Sequence, residues 1–105
     1  MHFGNWEIGG LYVGANICPL LSVMSSIPNE KIINFILNKR KQFNQTLCFK
    51  RNSFKELLNA LRNEHSVAII SDEHAGSKGV ETIFFGQPAL TNISPALLHF
   101  RTGAP

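Results

Sequence analysis

His2 and Glu7 stand five residues apart near the start of the chain. An imidazole held at one nitrogen by a carboxylate keeps its other nitrogen free to take a proton, which is the arrangement of a general base. On a single helix this spacing would turn the two side chains about 140° apart, so they could not meet there. They can meet if His2 ends a strand and Glu7 lies in the first turn of the following helix. No protein nucleophile accompanies the pair, so the proton would come from a substrate hydroxyl. Taken alone, H-x4-E also fits an ordinary surface histidine.

Two further residues could belong to such a site. Arg40 falls on an apolar helical stripe, where a guanidinium needs a partner or must face a polar cavity. Its planar fork suits phosphate or carboxylate recognition, although a last-turn arginine also complements the helix dipole. Asp72 follows an apolar run that reads as a strand, and ligands of open α/β sheets bind beyond the carboxyl ends of strands. An aspartate there also fits the start of a turn. Gly76-Ser77-Lys78-Gly79 could cradle a phosphate with backbone N–H groups, but it lacks the full P-loop pattern and reads equally as a plain loop. His65, His74 and His99 have no mutual spacing of a metal site, and Cys18 and Cys48 share none either.

The elements that must position these groups alternate between helical periods and short apolar runs, the pattern of an α/β layer with parallel strands. Asn5 caps a first helix that carries Glu7 in its opening turn and runs to about Asn16. Leu20 to Ser25 reads as a buried strand. A clear second helix follows, capped by Ser26 or Asn29 with Pro28 and Glu30 in its first turn. Ile32, Ile33, Ile36 and Phe43 share one stripe of it, with Arg40 inside the stripe, Lys39 at its edge and Lys41 pointing away. Thr46 to Phe49 is a second strand. Ser53-Phe54-Lys55-Glu56 has the form of a capping box opening a third helix, whose apolar set is Phe54, Leu57, Leu58 and Leu61. Val67 to Ile70 reads as a central parallel strand ending at Ser71-Asp72. Thr82 to Phe85 is a further strand, and Pro95 to Arg101 a last helix before Gly103. Trp6, Phe84 and Phe85 read as core rather than as a stacking platform.

The 105 residues are 44% hydrophobic and 16% charged, which excludes a wholly disordered chain and leaves room for one domain, 1–105. Two cysteines exclude a disulfide scaffold. The net charge of +3, with Lys39-Arg40-Lys41 and Lys50-Arg51 clustered, favours an anionic partner: phospholipid head groups, phosphorylated ligands or nucleic acid. His2 follows Met1 without the basic and apolar regions of a signal peptide, and Leu11 to Met24 is too short and too interrupted to span a bilayer.

Several segments together resemble one family. His2-Phe3-Gly4-Asn5-Trp6-Glu7 is similar to the H-x-G-N-W-E block of the late acyltransferases of lipid A biosynthesis, the lauroyl and myristoyl transferases of the H-x4-D/E glycerolipid acyltransferase superfamily. Asn29 to Phe43 resembles the helix after that family's Y-R-P strand, and Asp72-Glu73-His74 its D-x-D block. Val80 to Gly86 resembles its V-F-V-P-F-F-G strand, and Thr91 with Pro95 to Pro105 its T-x-x-G-P-A-x-L-A-x-R-T-G-A-P segment. The blocks keep the family's order over essentially the whole chain. Met24-Ser25-Ser26 stands where the family has Y-R-P, His74 replaces the second acid of D-x-D, and Ile83 the proline before F-F-G.

The resemblance implies a partial, mostly parallel sheet flanked by helices, a truncated acyltransferase core that looks like an internal, central fragment of a longer catalytic domain. It implies an enzyme that moves a fatty acyl chain from acyl carrier protein to a hydroxyl of a lipid A precursor, at the cytoplasmic face of the bacterial inner membrane. His2 would be the catalytic base and Glu7 its orienting partner. Arg40 and Asp72 would bind substrate, and Arg40 could also stabilise developing negative charge. No metal, no covalent enzyme intermediate and no cofactor beyond acyl-acyl carrier protein is implied. Two other readings of the sequence are open. One is a catalytically inactive remnant of a split gene, perched on a membrane surface. The other is a small basic nucleic-acid-binding module, supported only by the Lys39-Arg40-Lys41 cluster.

Overall fold

A computed structural model describes residues 4–50 and 53–105 of the chain. Their first element is helix α1, Trp6–Asn16. The Asn5 side chain accepts a hydrogen bond from the Ile8 N–H at 3.0 Å, satisfying one of the first-turn donors that a helix leaves open. Strand β1 (Leu20–Met24) follows, then helix α2 (Glu30–Lys41), strand β2 (Gln45–Phe49), helix α3 (Ser53–Arg62) and strand β3 (Ser66–Ala68). A single 3₁₀ turn, Gly76–Lys78, leads into strands β4 (Val80–Phe84) and β5 (Gln87–Thr91), and helix α4 (Ser94–Thr102) closes the fold.

The three parallel strands are ordered β2-β1-β3. Leu20 pairs with Gln45 on one side and Ser66 on the other. Alternation along the strands then separates two faces. Leu21, Cys48 and the half-buried Val23 and Val67 point to one, where they form the main core with Leu57, Ala60 and Leu98. That face is covered by α3, whose Phe54, Leu57, Leu58 and Leu61 lie on one side of the helix, and by α4. Leu20, Ser22 and Gln45 point to the opposite face and are buried beneath α1.

The parallel α/β architecture expected from the sequence is the one observed, with four departures. The apolar run Val67 to Ile70 is not the central strand: β3 keeps only Ser66–Ala68 and lies at the edge, and β1 takes the centre. The centre goes to the strand that the β2–α3–β3 crossover spans, which apolar content alone does not reveal. Second, Val80–Phe84 does not join the sheet but pairs antiparallel with Gln87–Thr91. Phe85 and Gly86 make the two-residue connection, both at positive φ (49° and 77°), the pattern of a type I′ hairpin turn. Third, Trp6, Phe84 and Phe85 are exposed rather than core. Fourth, the helix starts differ in detail. Asn29 alone caps α2, accepting from Lys31 and Ile32 N–H, so Pro28 precedes the cap. Ser53 already belongs to α3 and donates its hydroxyl back to the Lys50 carbonyl, so it does not act as the capping acceptor.

Candidate functional site

Helix α2 sets Arg40 in its last turn, and the residue is buried at 6% exposure. Ile33, Ile36 and Leu37 on the same side are half-buried, whereas Lys39 and Lys41 beside it are exposed. The stripe therefore delivers one guanidinium inward and leaves the other two cations in solvent. A buried guanidinium demands a counter-charge. It finds one in Glu7, in the first turn of α1: Arg40 Nη2 donates to Glu7 Oε1. The Glu7 side chain remains 44% exposed, so the carboxylate is gripped from the protein side and open on the other.

What brings these two helices together is a run of three residues on one face of α1, Glu7, Gly10 and Gly14, spaced i, i+3 and i+7. A Cβ at Gly14 would lie 2.2 Å from the Phe43 carbonyl oxygen, and one at Gly10 would lie 2.9 Å from the Gln45 side-chain nitrogen. The two glycines let α1 lie directly on the turn that links α2 to β2. One turn earlier on the same face, Glu7 then meets the arginine at the end of α2. Beneath the contact, Gln45 Nε2 donates to Ser22 Oγ at 2.7 Å, and both residues are buried. Gln45 Oε1 is buried without a hydrogen-bond partner among the described residues. Neither the glycine face nor the Gln45–Ser22 pair was read from the sequence. Small residues at i and i+4 in a helix are the signal that could have found the first.

His2 lies outside the described residues, so its expected contact with Glu7 has no geometry here. Glu7 and Arg40 are brought together as one ion pair. Asp72 is exposed in the loop that leaves the carboxyl end of β3, ahead of the 3₁₀ turn. Gly76 in that turn has positive φ, and Ala75 N–H bonds to the Leu90 carbonyl at 3.0 Å, so the loop is tied to the hairpin. A groove of about 270 Å³ opens on the α3–α4 side, lined by Leu61, Val67, Ile69, Ser71, Leu98 and His99 among others. His99 Nδ1 lies 2.6 Å from the Ala104 carbonyl oxygen, which pins the chain end over the groove. No helix of the described residues is long and apolar enough to cross a membrane.

The chain matches the model of the bacterial lipid A biosynthesis acyltransferases over residues 1–105. It belongs to that family. Its relatives include a phosphatidylinositol mannoside acyltransferase of Mycobacterium tuberculosis (strain CDC 1551 / Oshkosh), 26% identical over 98% of this chain and 34% of the relative. The protein of the same name from Mycolicibacterium smegmatis (strain ATCC 700084 / mc(2)155) is 23% identical over 98% of this chain and 35% of the relative. The chain thus spans about a third of the length of the curated relatives it matches. Glu7 lies in the segment that resembles an H-x-G-N-W-E block, and the ion pair joins it to Arg40, late in α2.

Proposed function

We propose that this chain carries the proton-accepting segment of an acyltransferase that esterifies a sugar hydroxyl of an anionic glycolipid. His2 takes the hydroxyl proton as the oxygen attacks the thioester carbonyl of acyl carrier protein. The tetrahedral oxyanion collapses, the carbon–sulfur bond breaks, and the imidazolium returns the proton to the departing thiolate. The products are the ester and free acyl carrier protein. Glu7 orients the imidazole through the carboxylate oxygen not taken by Arg40, and Arg40 holds Glu7 still. A base so held keeps the benefit of orientation that a loose one loses. Asp72 contributes to acceptor binding from the β3 loop.

The observation that carries this reading is the grip of the buried Arg40 on Glu7 inside the family's H-x4-E block. The acceptor is a lipid A precursor; the names of the mycobacterial relatives make phosphatidylinositol mannoside the second acceptor to assay. Both are phosphorylated glycolipids, which the exposed Lys39 and Lys41 suit. The reaction is placed at the cytoplasmic face of the inner membrane. The test is transfer of a labelled acyl chain from acyl carrier protein to each acceptor. His2→Ala is expected to lower turnover by about 10²–10⁴-fold, the usual worth of a general base. Turnover that survives His2→Ala unchanged rules the mechanism out.

A further inference from the structure

We propose that the β4–β5 hairpin is a wedge whose tip enters an anionic lipid surface. This gives the lipid partner of the preceding reading a docking element, and it rests on that reading only for the biological setting. The hairpin stands apart from the three-stranded sheet, and β4 is exposed along its whole length. Its base is anchored by the Ala75–Leu90 hydrogen bond, and a Cβ at Gly79 would press on Ala75 and Leu90. Its tip carries Ile83 at 72%, Phe84 at 65% and Phe85 at 91% exposure.

Three features select a lipid surface over a protein partner. The tip is apolar on both faces, although Gln87 shares its outermost rung and the exposed Val80 stands at the base. Ile83 with Pro88 and Phe84 with Gln87 are consecutive cross-strand pairs, so they project to opposite faces, and Ile83 and Phe84 are both bare. Glu81, Thr82 and Thr91 lie toward the base, where the two threonine hydroxyls are 2.6 Å apart. A protein partner would require one apolar face; apolar residues on both faces of the tip suit a surrounding apolar medium. Second, Phe85 holds φ 49°, a conformation that favours glycine and asparagine and is uncommon for a bulky residue. The turn accepts that strain and spends it on a ring in solvent, packed edge-on against Phe84 at 4.6 Å. An observed outlier of this kind points to function. Third, the chain carries a net charge of +3, and the exposed Lys78 just before β4 offsets Glu81, the one acidic residue on the hairpin. The two outer rungs reach about 7 Å, within the roughly 5–10 Å at which interfacial elements bury their apolar groups.

The experiment is flotation of the chain with vesicles of phosphatidylcholine and phosphatidylglycerol. Phe85→Asn suits the turn, so its thermal midpoint is expected to equal or exceed that of the unaltered chain, while vesicle partitioning falls about tenfold. Ile83→Ser, outside the turn, is expected to weaken partitioning in the same direction. Phe35→Ser removes from α2 a ring as bare as that of Phe84 and is expected to change nothing. A tryptophan placed by Phe85→Trp in a Trp6→Phe background should be quenched by brominated lipid. Unchanged partitioning of Phe85→Asn, equal loss in Phe35→Ser, or absence of quenching overturns the wedge. So does a concentration-dependent dimer lost in Phe85→Asn without vesicle binding. Vesicle binding is read without acyl transfer, so loss of the wedge and loss of the catalytic reading are separate results.

Discussion

Gly14 lies flush against Phe43, so that a methyl group on its Cα would sit 2.2 Å from the Phe43 carbonyl oxygen. Backbone cannot yield as a flexible side chain can, so Gly14→Ala must lift α1 off the α2–β2 turn. We expect a loss of about 1–3 kcal/mol, typical of overpacking. Gly9, on the same helix, has nothing within 4 Å of its would-be Cβ. Gly9→Ala should therefore raise stability by about 0.5–1 kcal/mol through helix propensity alone. Denaturant unfolding of the two variants tests the contrast; effects of opposite sign are expected, and a neutral Gly14→Ala would show that α1 does not rest there.

Cys48 is 2% exposed in the core between β2 and α3. Burial pushes its thiol pKa above the ordinary 9.0, and the Glu56 carboxylate on α3 pushes the same way, against a smaller lowering by a backbone hydrogen bond. The folded state thus favours the neutral thiol more than the unfolded state does. The resulting stability is fully present below about pH 9 and is lost as pH rises through the raised folded value. Cys48→Ala should flatten the alkaline limb of the stability profile measured between pH 8 and 11. In the native protein, a thiol reagent at pH 8 should modify the half-buried Cys18 first and reach Cys48 only on unfolding.

How much of this was legible beforehand depended on whether the signal was local. The helix starts at Asn5 and Asn29 and the helix end at Gly103 follow from side chains and φ preferences acting within one turn. The amphipathic stripe of α3 is equally local. The order of the sheet is not, because β3 is placed by a crossover that spans β1 and its apolar run says only that it is buried somewhere. The β4–β5 hairpin was half seen because Phe85-Gly86 is not the Asn-Gly that usually marks such a turn. At the site, periodicity singled out Arg40 as a guanidinium in need of a partner, but that partner is 33 residues away on another helix. Only the close approach allowed by Gly10 and Gly14 makes it Glu7.

Ser22 and Gln45 should show the asymmetry of a buried hydrogen bond. Ser22→Ala leaves Gln45 Nε2 without its 2.7 Å acceptor in a buried site that already holds an orphan Oε1. The loss expected is about 1–3 kcal/mol, the desolvation penalty of an unpaired group. The double variant Ser22→Ala with Gln45→Met removes both partners at nearly constant volume and should recover most of that loss. A double variant as unstable as the sum of the two singles would mean that the pair is not coupled.

The Glu7–Arg40 pair makes the sharpest prediction, because the two partners are buried unequally. Arg40 is 6% exposed, whereas the Glu7 side chain is 44% exposed. Removing the carboxylate strands a buried cation; removing the arginine strands only a carboxylate that water can reach. Glu7→Ala should therefore cost more than the loss of an exposed ion pair, about 2–4 kcal/mol once partial solvent access is allowed for. Arg40→Met, which keeps the stem's packing and removes the charge, should cost less. In the double variant the two losses should fall short of additive by at least about 1 kcal/mol. Arg40→Lys tests geometry rather than charge, since an ammonium lacks the planar fork. If Arg40 positions Glu7 for catalysis, Arg40→Lys should fold normally and lower kcat with KM for the acyl acceptor little changed. A rise in KM at constant kcat would instead assign Arg40 to acceptor binding.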